Sequence, residues 1–288
     1  MNIAPTKVLA VGAAGKFAGM VVPELAKRGA VVRGFVRKVD EVETAKAAGA
    51  AEVVVGDLAD EVSVRIAMED VDRVFYIAPA FLQHEADVGM RIVRAAKDAG
   101  VRRFIFSSVI HPILSALGNH AYKGPVDEAL LTSGMEFTFL HPTVFFQNFS
   151  SSWPSVVETG VFAEPWSADI PFSRVDYRDV AEAAAIALTE DRLLYGTFEL
   201  CAEGWLNRHE IAAMISEILG AVIKAERVDP RMAAAAAGPG APALEKMFNW
   251  YDRRGLLGNP LTLRAVLGRE PRTLRAYLEE LAAGKAAP

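Results

Sequence analysis

Near its N-terminus the chain carries the sequence VLAVGAAGKFAG over residues 8–19, in which an apolar run leads directly into a glycine-rich turn. The run predicts a buried strand, and a helix is predicted to follow it over residues 17–28. Gly12 would permit the tight turn, Gly15 would let a phosphate approach the backbone, and Ala18 would allow close packing of helix on strand. The N–H groups at the start of such a helix can hold the phosphates of a dinucleotide, although a turn without a ligand is the alternative interpretation.

Beyond this turn, short β-rich runs alternate with segments of helical period as far as about Leu140, which is typical of successive βαβ units. Strands are predicted at residues 8–11, 31–36, 52–55, 73–77, 103–106 and 137–140. Later helices are predicted at 42–48, 84–99 and about 121–132, and the glycines that stop helical segments are Gly29, Gly49, Gly100 and Gly134. This pattern predicts an α/β fold with a doubly wound, Rossmann-type parallel sheet.

After Pro142 the pattern loosens, and aromatic residues are scattered among prolines and serines. An alanine-rich helix at 181–188 and a strand at 197–201 are predicted to return to the first domain. Asn207 and Glu210 form a capping box ahead of a helix predicted at 211–219. The sequence therefore predicts a dinucleotide-binding domain over residues 1–155 and 174–202. A smaller, mainly helical substrate-binding domain is predicted over residues 156–173 and 203–288.

The composition limits the classes of protein that fit. The chain has 288 residues, of which 52% are hydrophobic, so it can bury a full core. Its net charge of -5 comes from interspersed residues, which excludes the basic face that nucleic acid needs. Cys201 is the only cysteine, which argues against a disulfide framework and favours the reducing cytoplasm. We expect neither a signal peptide nor a membrane-spanning segment, and the histidines lack the spacing of a metal site.

The end of the second predicted strand bears on the identity of the dinucleotide. A Rossmann fold that prefers NAD carries an acid there, which accepts hydrogen bonds from the adenosine ribose. Here the strand ends in Arg37 and Lys38, whose cations suit the 2′-phosphate of NADP(H), although a solvated strand end is the alternative. Asp57, after the third strand, can accept from the adenine amino group or can serve as the turn residue that begins a helix.

Several stretches of the chain match one family of dinucleotide-binding proteins. Besides the glycine turn and Val36-Arg37, they are Gly56-Asp57-Leu58 and residues 103–108 (RFIFSS), 119–123 (NHAYK), 139–142 (FLHP), 175–180 (VDYRDV) and 267–273 (LGREPRT). In these stretches the chain resembles the NmrA-like family of atypical short-chain dehydrogenases, which includes isoflavone-reductase-like and triphenylmethane-reductase-like proteins. The resemblance implies an NADP(H)-binding domain followed by a small helical domain, but it does not imply one reaction.

The glycine turn, the strand ends and this resemblance together predict one NADP(H) site. Its residues are Gly12, Ala14, Gly15, Lys16, Phe17, Arg37, Lys38, Asp57, Leu58, Ala78 and Lys123.

The candidate catalytic residues depart from the usual pattern. Ordinary short-chain dehydrogenases place a tyrosine four residues before a lysine, on one face of a helix. Here Asn119 occupies that position relative to Lys123, and Tyr122 lies about 100° round a helix from Lys123. The resemblance implies that Lys123 holds the nicotinamide ribose and carries the proton chemistry, as in the isoflavone-reductase-like branch. Ser108, His120 and Tyr122 are further candidates, and capping of the strand end is the alternative role of Ser108.

An aromatic substrate pocket is predicted from Phe81, Phe145, Phe146, Trp153 and Trp166, and core packing is the alternative for each of them. We therefore predict a reductase that transfers hydride from NADPH to an aromatic, quinone-like or conjugated carbonyl small molecule. Because the usual tyrosine is missing, a non-catalytic NADP(H)-sensing regulator is one alternative. A cofactor-retaining isomerase or lyase is another. We expect a monomer or homodimer with no nucleic-acid or membrane partner.

Overall fold

The computed structural model describes residues 6–79 and 82–286. In the first half of the chain, strands alternate with helices, as the pattern of βαβ units predicts. Their bounds are β1 (Lys7–Val11), α1 (Ala18–Lys27), β2 (Val31–Val36), α2 (Val42–Ala47), β3 (Glu52–Val55), α3 (Glu61–Met68), β4 (Arg73–Ile77), α4 (Glu85–Asp98), β5 (Arg103–Ser107), α5 (Gly118–Ala121), α6 (Gly124–Leu131) and β6 (Glu136–Pro142).

In the second half, helices outweigh strands. Their bounds are β7 (Val144–Phe145), α7 (Phe149–Thr159), β8 (Val161–Glu164), β9 (Arg174–Val175), α8 (Tyr177–Thr189), β10 (Gly196–Leu200), α9 (Arg208–Leu219), β11 (Lys224–Arg227), α10 (Pro230–Ala234), α11 (Ala241–Tyr251), α12 (Leu261–Leu267) and α13 (Leu274–Ala282). Short 3-10 helices lie at Val39–Glu41, Phe146–Asn148 and Ala235–Gly240. No helix in the described part of the chain is both long and apolar enough to cross a membrane.

Seven strands form one sheet in the order β10-β6-β5-β4-β1-β2-β3. The pairs β1–β2, β2–β3, β1–β4, β4–β5 and β5–β6 are all parallel. The chain builds outward from β1 in one direction and from β4 in the other, so the strand order reverses between these two strands. This confirms the predicted doubly wound, Rossmann-type sheet. Ligands of such sheets bind at the carboxyl ends of the strands, beside the reversal.

The predicted strands all have counterparts in the sheet, and no boundary differs by more than two residues. The glycines predicted to stop helical segments have left-handed φ angles, of 77° at Gly29, 114° at Gly49, 77° at Gly100 and 84° at Gly134. Glycine adopts this conformation without the strain that a Cβ atom would cause. The capping box is confirmed as well, because Asn207 and Glu210 exchange two hydrogen bonds of 2.8 and 3.0 Å.

The helices differ from the prediction at several places, and α8 begins at Tyr177 rather than at residue 181. The pattern misses α3, which Asp60 caps by accepting hydrogen bonds from the backbone of Val62 and Ser63. The helix predicted at about 121–132 begins only at Gly124, because Pro125 lacks an N–H group and fits the first turn of a helix. The loose pattern after Pro142 conceals α7, whose serines and internal proline are poor helix formers.

The chain divides into two compact units. Unit 1 comprises the chain up to Ile113, Asn119–His141 and Arg178–Phe198, and unit 2 comprises Leu114–Gly118, Pro142–Tyr177 and the chain from Glu199. Residues 114–118, 142–155, 174–177 and 199–202, which the sequence assigns to the dinucleotide-binding domain, fall in unit 2. Pairing of β7 with β9 accounts for part of this difference, since both strands lie in those segments.

Buried Arg103, at the start of β5, anchors the end of α8 within unit 1. Its guanidinium donates to the carbonyl oxygens of Ala187 and Glu190, at 3.0 and 2.7 Å. It also pairs with Asp191 at 2.5 Å and with Glu136 at 2.8 Å. A cation at the C-terminal end of a helix is favourable, and here the pairing supplies the hydrogen bonds that a buried charge requires.

The turn after β1 lies close to β2. The N–H groups of Gly12 and Ala13 donate to the carbonyl oxygen of Phe35, at 2.8 and 3.2 Å. Ala13 is fully buried, and a Cβ atom on Gly34 would lie 2.8 Å from the Cβ of Ala13. The turn can therefore take this position only above a residue that has no side chain.

Gly34→Ala is expected to destabilise the chain by about 1–3 kcal/mol, because the added methyl group must displace Ala13. The matched control is Gly124→Ala, since a Cβ atom there meets no described residue within 4 Å. Chemical denaturation followed by circular dichroism gives the free energy of unfolding of both variants. A Gly34→Ala variant as stable as the unmodified chain would contradict the close approach of the turn to β2.

Candidate active site

The turn between β1 and α1 has the backbone geometry of an anion site. Gly12 has a φ angle of 77°, and a Cβ atom on Gly15 would lie 3.0 Å from the carbonyl oxygen of Gly12. Helix α1 begins at Ala18, is preceded by the apolar side chain of Phe17, and has no acidic residue in its first turn. The positive end of this helix can therefore face an anion such as a pyrophosphate.

Two further residues predicted to bind the dinucleotide lie in the same turn. Ala14 is half-buried, whereas Lys16 is exposed and its Nζ lies 6.0 Å from the centroid of the Phe17 ring. Partial burial lowers the pKa of Lys16. Because Lys16 directly follows Gly15, its ammonium could pair with a phosphate bound at the turn.

Arg37 and Lys38 are both exposed directly after β2. Their backbone N–H groups donate to Oε2 of Glu41, at 2.9 and 3.1 Å. Glu41 thus fixes the backbone that carries the two cations, and it also places a negative charge beside them.

The carboxyl ends of β3 and β4 carry the other residues predicted to bind the dinucleotide. Asp57 is exposed, and its Oδ1 accepts a hydrogen bond of 2.8 Å from the backbone of Ala59. The capping role that the sequence left open for Asp57 belongs instead to Asp60. Leu58 and Ala78, which follow the two strands, pack against the core of unit 1.

A group of polar side chains lies at the end of β5 and around the start of α6. Ser107 and Ser108 are buried at the carboxyl end of β5, and Ser108 Oγ lies 3.4 Å from Oδ2 of Asp127. Lys123 directly precedes α6, and its Nζ donates to the carboxylate of Glu85, the first residue of α4. Glu85 is 5% exposed and Lys123 is 8% exposed. Unit 1 therefore gathers hydroxyl, ammonium and carboxyl groups in one place.

Burial raises the pKa of Asp127 to about 7, and the hydrogen bond with Ser108 and the charge of Lys123 only partly oppose this. Oδ1 of Asp127 is buried, and it has no hydrogen-bond partner among the described residues. Desolvation penalises the charged form of a carboxyl group, so a large fraction of Asp127 holds its proton at neutral pH. The site thus contains a carboxyl group that is partly protonated at neutral pH, together with the ion pair of Lys123 and Glu85.

The remaining catalytic candidates differ sharply in exposure. His120 is fully buried, and its Nδ1 lies 3.2 Å from the carbonyl oxygen of His111. Burial lowers the pKa of His120 to about 4, and it does the same for His141. Tyr122 is 50% exposed, in contrast to buried Lys123, and both residues lie in the turn between α5 and α6 rather than within a helix. Within the residues that the structure describes, no group of His, Cys, Asp and Glu could hold a metal ion.

The five aromatic residues predicted to line a substrate pocket lie in different surroundings. Phe81 lies outside the described residues, and Phe145 is half-buried. Phe146 and Trp153 belong to the core of unit 2, and Trp166 is 8% exposed and packs against other rings of that unit. The structure therefore favours core packing, the alternative interpretation, for these last three residues.

Sequence reasoning misses three acidic residues of the site: Glu41, Glu85 and Asp127. Asp127 follows Lys123 by four residues, so the spacing along one helical face does contain a signal. Glu85 lies 38 positions from Lys123, and only the packing of α4 against α6 brings the two together.

The sheet, the glycine turn and the cations after β2 define a dinucleotide-binding α/β protein. The chain belongs to the NmrA-like family, whose sequence model matches residues 5–280. This confirms the resemblance that the sequence motifs indicate.

Individual relatives cover nearly the whole chain. An NAD(P)H azoreductase of Xenophilus azovorans is 26% identical over 283 residues, which cover 96% of this chain and 98% of that protein. A solved structure of an NADPH-dependent quinone oxidoreductase of Escherichia coli, complexed with NADPH, has a TM-score of 0.84 at 23% identity and covers 96% of this chain and 100% of that one. The triphenylmethane reductase of Citrobacter sp., complexed with NADP(H), has a TM-score of 0.83 at 21% identity, with coverage of 96% and 100%. The two structures share the fold of this chain.

His120 and His141 are expected to titrate near pH 4, because burial disfavours the charged imidazolium. The unfolded chain takes up these protons near pH 6.5, so the free energy of unfolding decreases as the pH falls from 6.5 towards 4. NMR titration of the imidazole protons measures both histidines. Protonation of His120 at the pH of a histidine in water would contradict its burial.

Proposed function

We propose that the chain is an NADPH-dependent reductase that transfers hydride to an aromatic, quinone-like or conjugated carbonyl small molecule. The observation that carries this proposal is the polar group of Ser108, Lys123 and Asp127 at the carboxyl end of β5. It lies on the edge of the sheet at which dinucleotides bind. A reductase needs a proton source near the point of hydride delivery, whereas a sensor needs none. The names of relatives, an azoreductase and a quinone oxidoreductase, support the same class of reaction.

NADPH fits the residues at the carboxyl ends of the first three strands. The turn at Gly12 and the start of α1 would bind the pyrophosphate. Gly12 has the left-handed backbone conformation of such a turn, and the first turn of α1 has no acidic residue that would repel a phosphate. Arg37 and Lys38 would receive the 2′-phosphate. Asp57 uses only Oδ1 for its turn, so Oδ2 can accept from the adenine amino group.

When bound, the nicotinamide supplies the hydride, and the side chains of unit 1 supply position and protons. Lys123 is held by its ion pair with Glu85, so its ammonium has a defined place from which to contact the nicotinamide ribose, as the family resemblance implies. Ser108 is 6% exposed, so only a small part of it contacts water. That hydroxyl can donate to the substrate atom on which negative charge develops during reduction.

A cytoplasmic location is part of this proposal. The only cysteine, Cys201, is buried, and burial raises the pKa of its thiol to about 12. Such a thiol is unreactive and suits a reducing compartment. The proposed partner is the small aromatic substrate, with no role for nucleic acid or membrane.

The purified chain is expected to consume NADPH continuously in the presence of at least one compound from a panel of quinones, azo dyes, triarylmethane dyes and aromatic ketones. The decay of NADPH absorbance, with products identified by mass spectrometry, measures this turnover. Binding of NADPH without any turnover would favour the sensing regulator instead. Product formed without consumption of NADPH would favour a cofactor-retaining isomerase or lyase.

Arg37→Ala is expected to weaken NADPH binding by about 1.5–3 kcal/mol, the loss of one charge-assisted contact, and to leave NADH binding unchanged. Calorimetric titration with each dinucleotide measures both affinities. Lys46→Ala is the control, because Lys46 is a half-exposed cation on neighbouring α2. Equal affinity of the unmodified chain for NADPH and NADH would show that Arg37 and Lys38 are only a solvated strand end.

A further inference from the structure

We propose that Asp127 is the proton source of the reduction and passes its proton to the substrate through the hydroxyl of Ser108. Lys123, held in place by its ion pair with Glu85, would then stabilise the carboxylate left behind. This inference rests on the proposed function, and it identifies the acid that the missing tyrosine leaves open. It depends on the arrangement of these four side chains within unit 1.

The hydroxyl of Ser108 connects Asp127 to the ligand-binding edge of the sheet. Ser108 Oγ lies 3.4 Å from Oδ2 of Asp127, and catalytic hydrogen bonds that are long in the absence of substrate often tighten when substrate binds. A hydroxyl can accept one hydrogen bond while it donates its own hydrogen to a second group. The other oxygen of Asp127, Oδ1, is buried and has no partner in the described part of the chain. The polar connection of this carboxyl group therefore runs through Ser108.

Lys123 is a poorer proton source because of its ion pair. Its Nζ donates to Glu85, which is 5% exposed. Transfer of a proton from Lys123 would leave the Glu85 carboxylate buried without a compensating charge, which is strongly unfavourable. Transfer from Asp127 leaves a carboxylate near the Lys123 ammonium, and that charge already lowers the pKa of Asp127. The ion pair thus favours loss of the proton from Asp127.

The surroundings of Asp127 match the needs of a general acid. With a pKa raised by burial to about 7, a large fraction of the group carries a proton at neutral pH and can release it there. The groups that face it are Lys123 at the start of its own helix, Ser108 from β5 and, through Lys123, Glu85 from α4. Helix α4 packs against α6 through Gly89, where a Cβ atom would meet the side chain of Val126.

Atoms and electrons balance in this step. The substrate gains a hydride with its two electrons, and NADPH is oxidised to NADP⁺. The electron pair of the reduced double bond moves to a substrate oxygen or nitrogen, which takes the hydrogen of the Ser108 hydroxyl. Ser108 takes the proton of Asp127 at the same time. Water later restores a proton to the carboxylate.

The first test is Asp127→Asn, which keeps the size of the side chain and removes its acid. Turnover should fall roughly 100-fold or more, while the Kd for NADPH stays the same. In the unmodified chain kcat/KM should fall as the pH rises through about 7, and the variant should lack this limb of the profile. Glu128→Gln, at an exposed carboxylate one residue further along α6, is the matched control and should keep both turnover and profile.

The second test needs no turnover. Infrared spectra of the chain without substrate should show the C=O band of a protonated carboxyl group that disappears as the pH rises through about 7. The band should persist in Glu128→Gln and be missing from Asp127→Asn. Its absence from the unmodified chain in mildly acid solution would overturn the inference by itself. An unmodified chain that keeps this band yet reduces no compound of the panel would overturn the proposed function instead.

A double variant separates the two candidate proton sources. Glu85→Gln combined with Lys123→Met removes both charges of the buried pair, so neither is left without a partner. If Asp127 is the proton source, kcat/KM of the double variant should still fall as the pH rises, as in the unmodified chain. The fall should occur at a higher pH, because the charge of Lys123 no longer lowers the pKa of Asp127. Loss of that limb in the double variant, with normal turnover in Asp127→Asn, would assign the proton to Lys123.

Discussion

The turn after β1 rests on the backbone of β2, and the whole dinucleotide-binding edge of unit 1 depends on this contact. Two N–H groups, those of Gly12 and Ala13, converge on the carbonyl of Phe35, and Gly34 leaves the space that Ala13 occupies. Because the turn is attached to the second strand, the start of α1 and the cation of Arg37 are held at one edge of the sheet. The turn after β1 and the end of β2 are therefore placed so that they can contact the pyrophosphate and the phosphate on the adenosine ribose, respectively.

Unit 1 uses buried charge in two different ways. Arg103 is surrounded by carbonyl and carboxylate oxygens at the end of α8, so its charge serves to hold a helix in place. The group around Lys123 is different, because Asp127 retains a buried oxygen that has no partner among the described residues. Leaving a polar atom in this state costs folding free energy, and groups with strongly perturbed pKa values cluster where chemistry occurs. The contrast with Arg103 is thus a reason to regard Asp127 as functional rather than structural.

Most of the sheet could be predicted from the sequence because its signals are local. Each strand is a short apolar run, and glycines such as Gly100 indicate helix ends because glycine readily adopts the left-handed conformation found there. Pro125 also marks the start of α6 in the sequence, but hydrophobic periodicity alone predicts a helix that begins too early. The contact of Lys123 with Glu85 could not be predicted, since it exists only when α4 lies against α6. Whether Trp153 lines a pocket or fills a core likewise depends on packing partners that no spacing reveals.

The asparagine at position 119 does not by itself remove acid–base chemistry from this chain. A phenol in water holds its proton up to about pH 10 and a carboxylic acid only to about pH 4, so neither is suited to proton transfer at neutral pH without help. A nearby lysine cation lowers the pKa of a phenol because it favours the anion, and burial raises the pKa of a carboxyl group because it disfavours the anion. Burial raises the pKa of Asp127 to about 7, and the charge of Lys123 favours its anion. In the proposed mechanism the chain keeps the lysine of the ordinary arrangement and replaces the tyrosine with a different acid. Whether it acts as a reductase or as a sensor therefore depends on delivery of this proton rather than on the presence of the tyrosine.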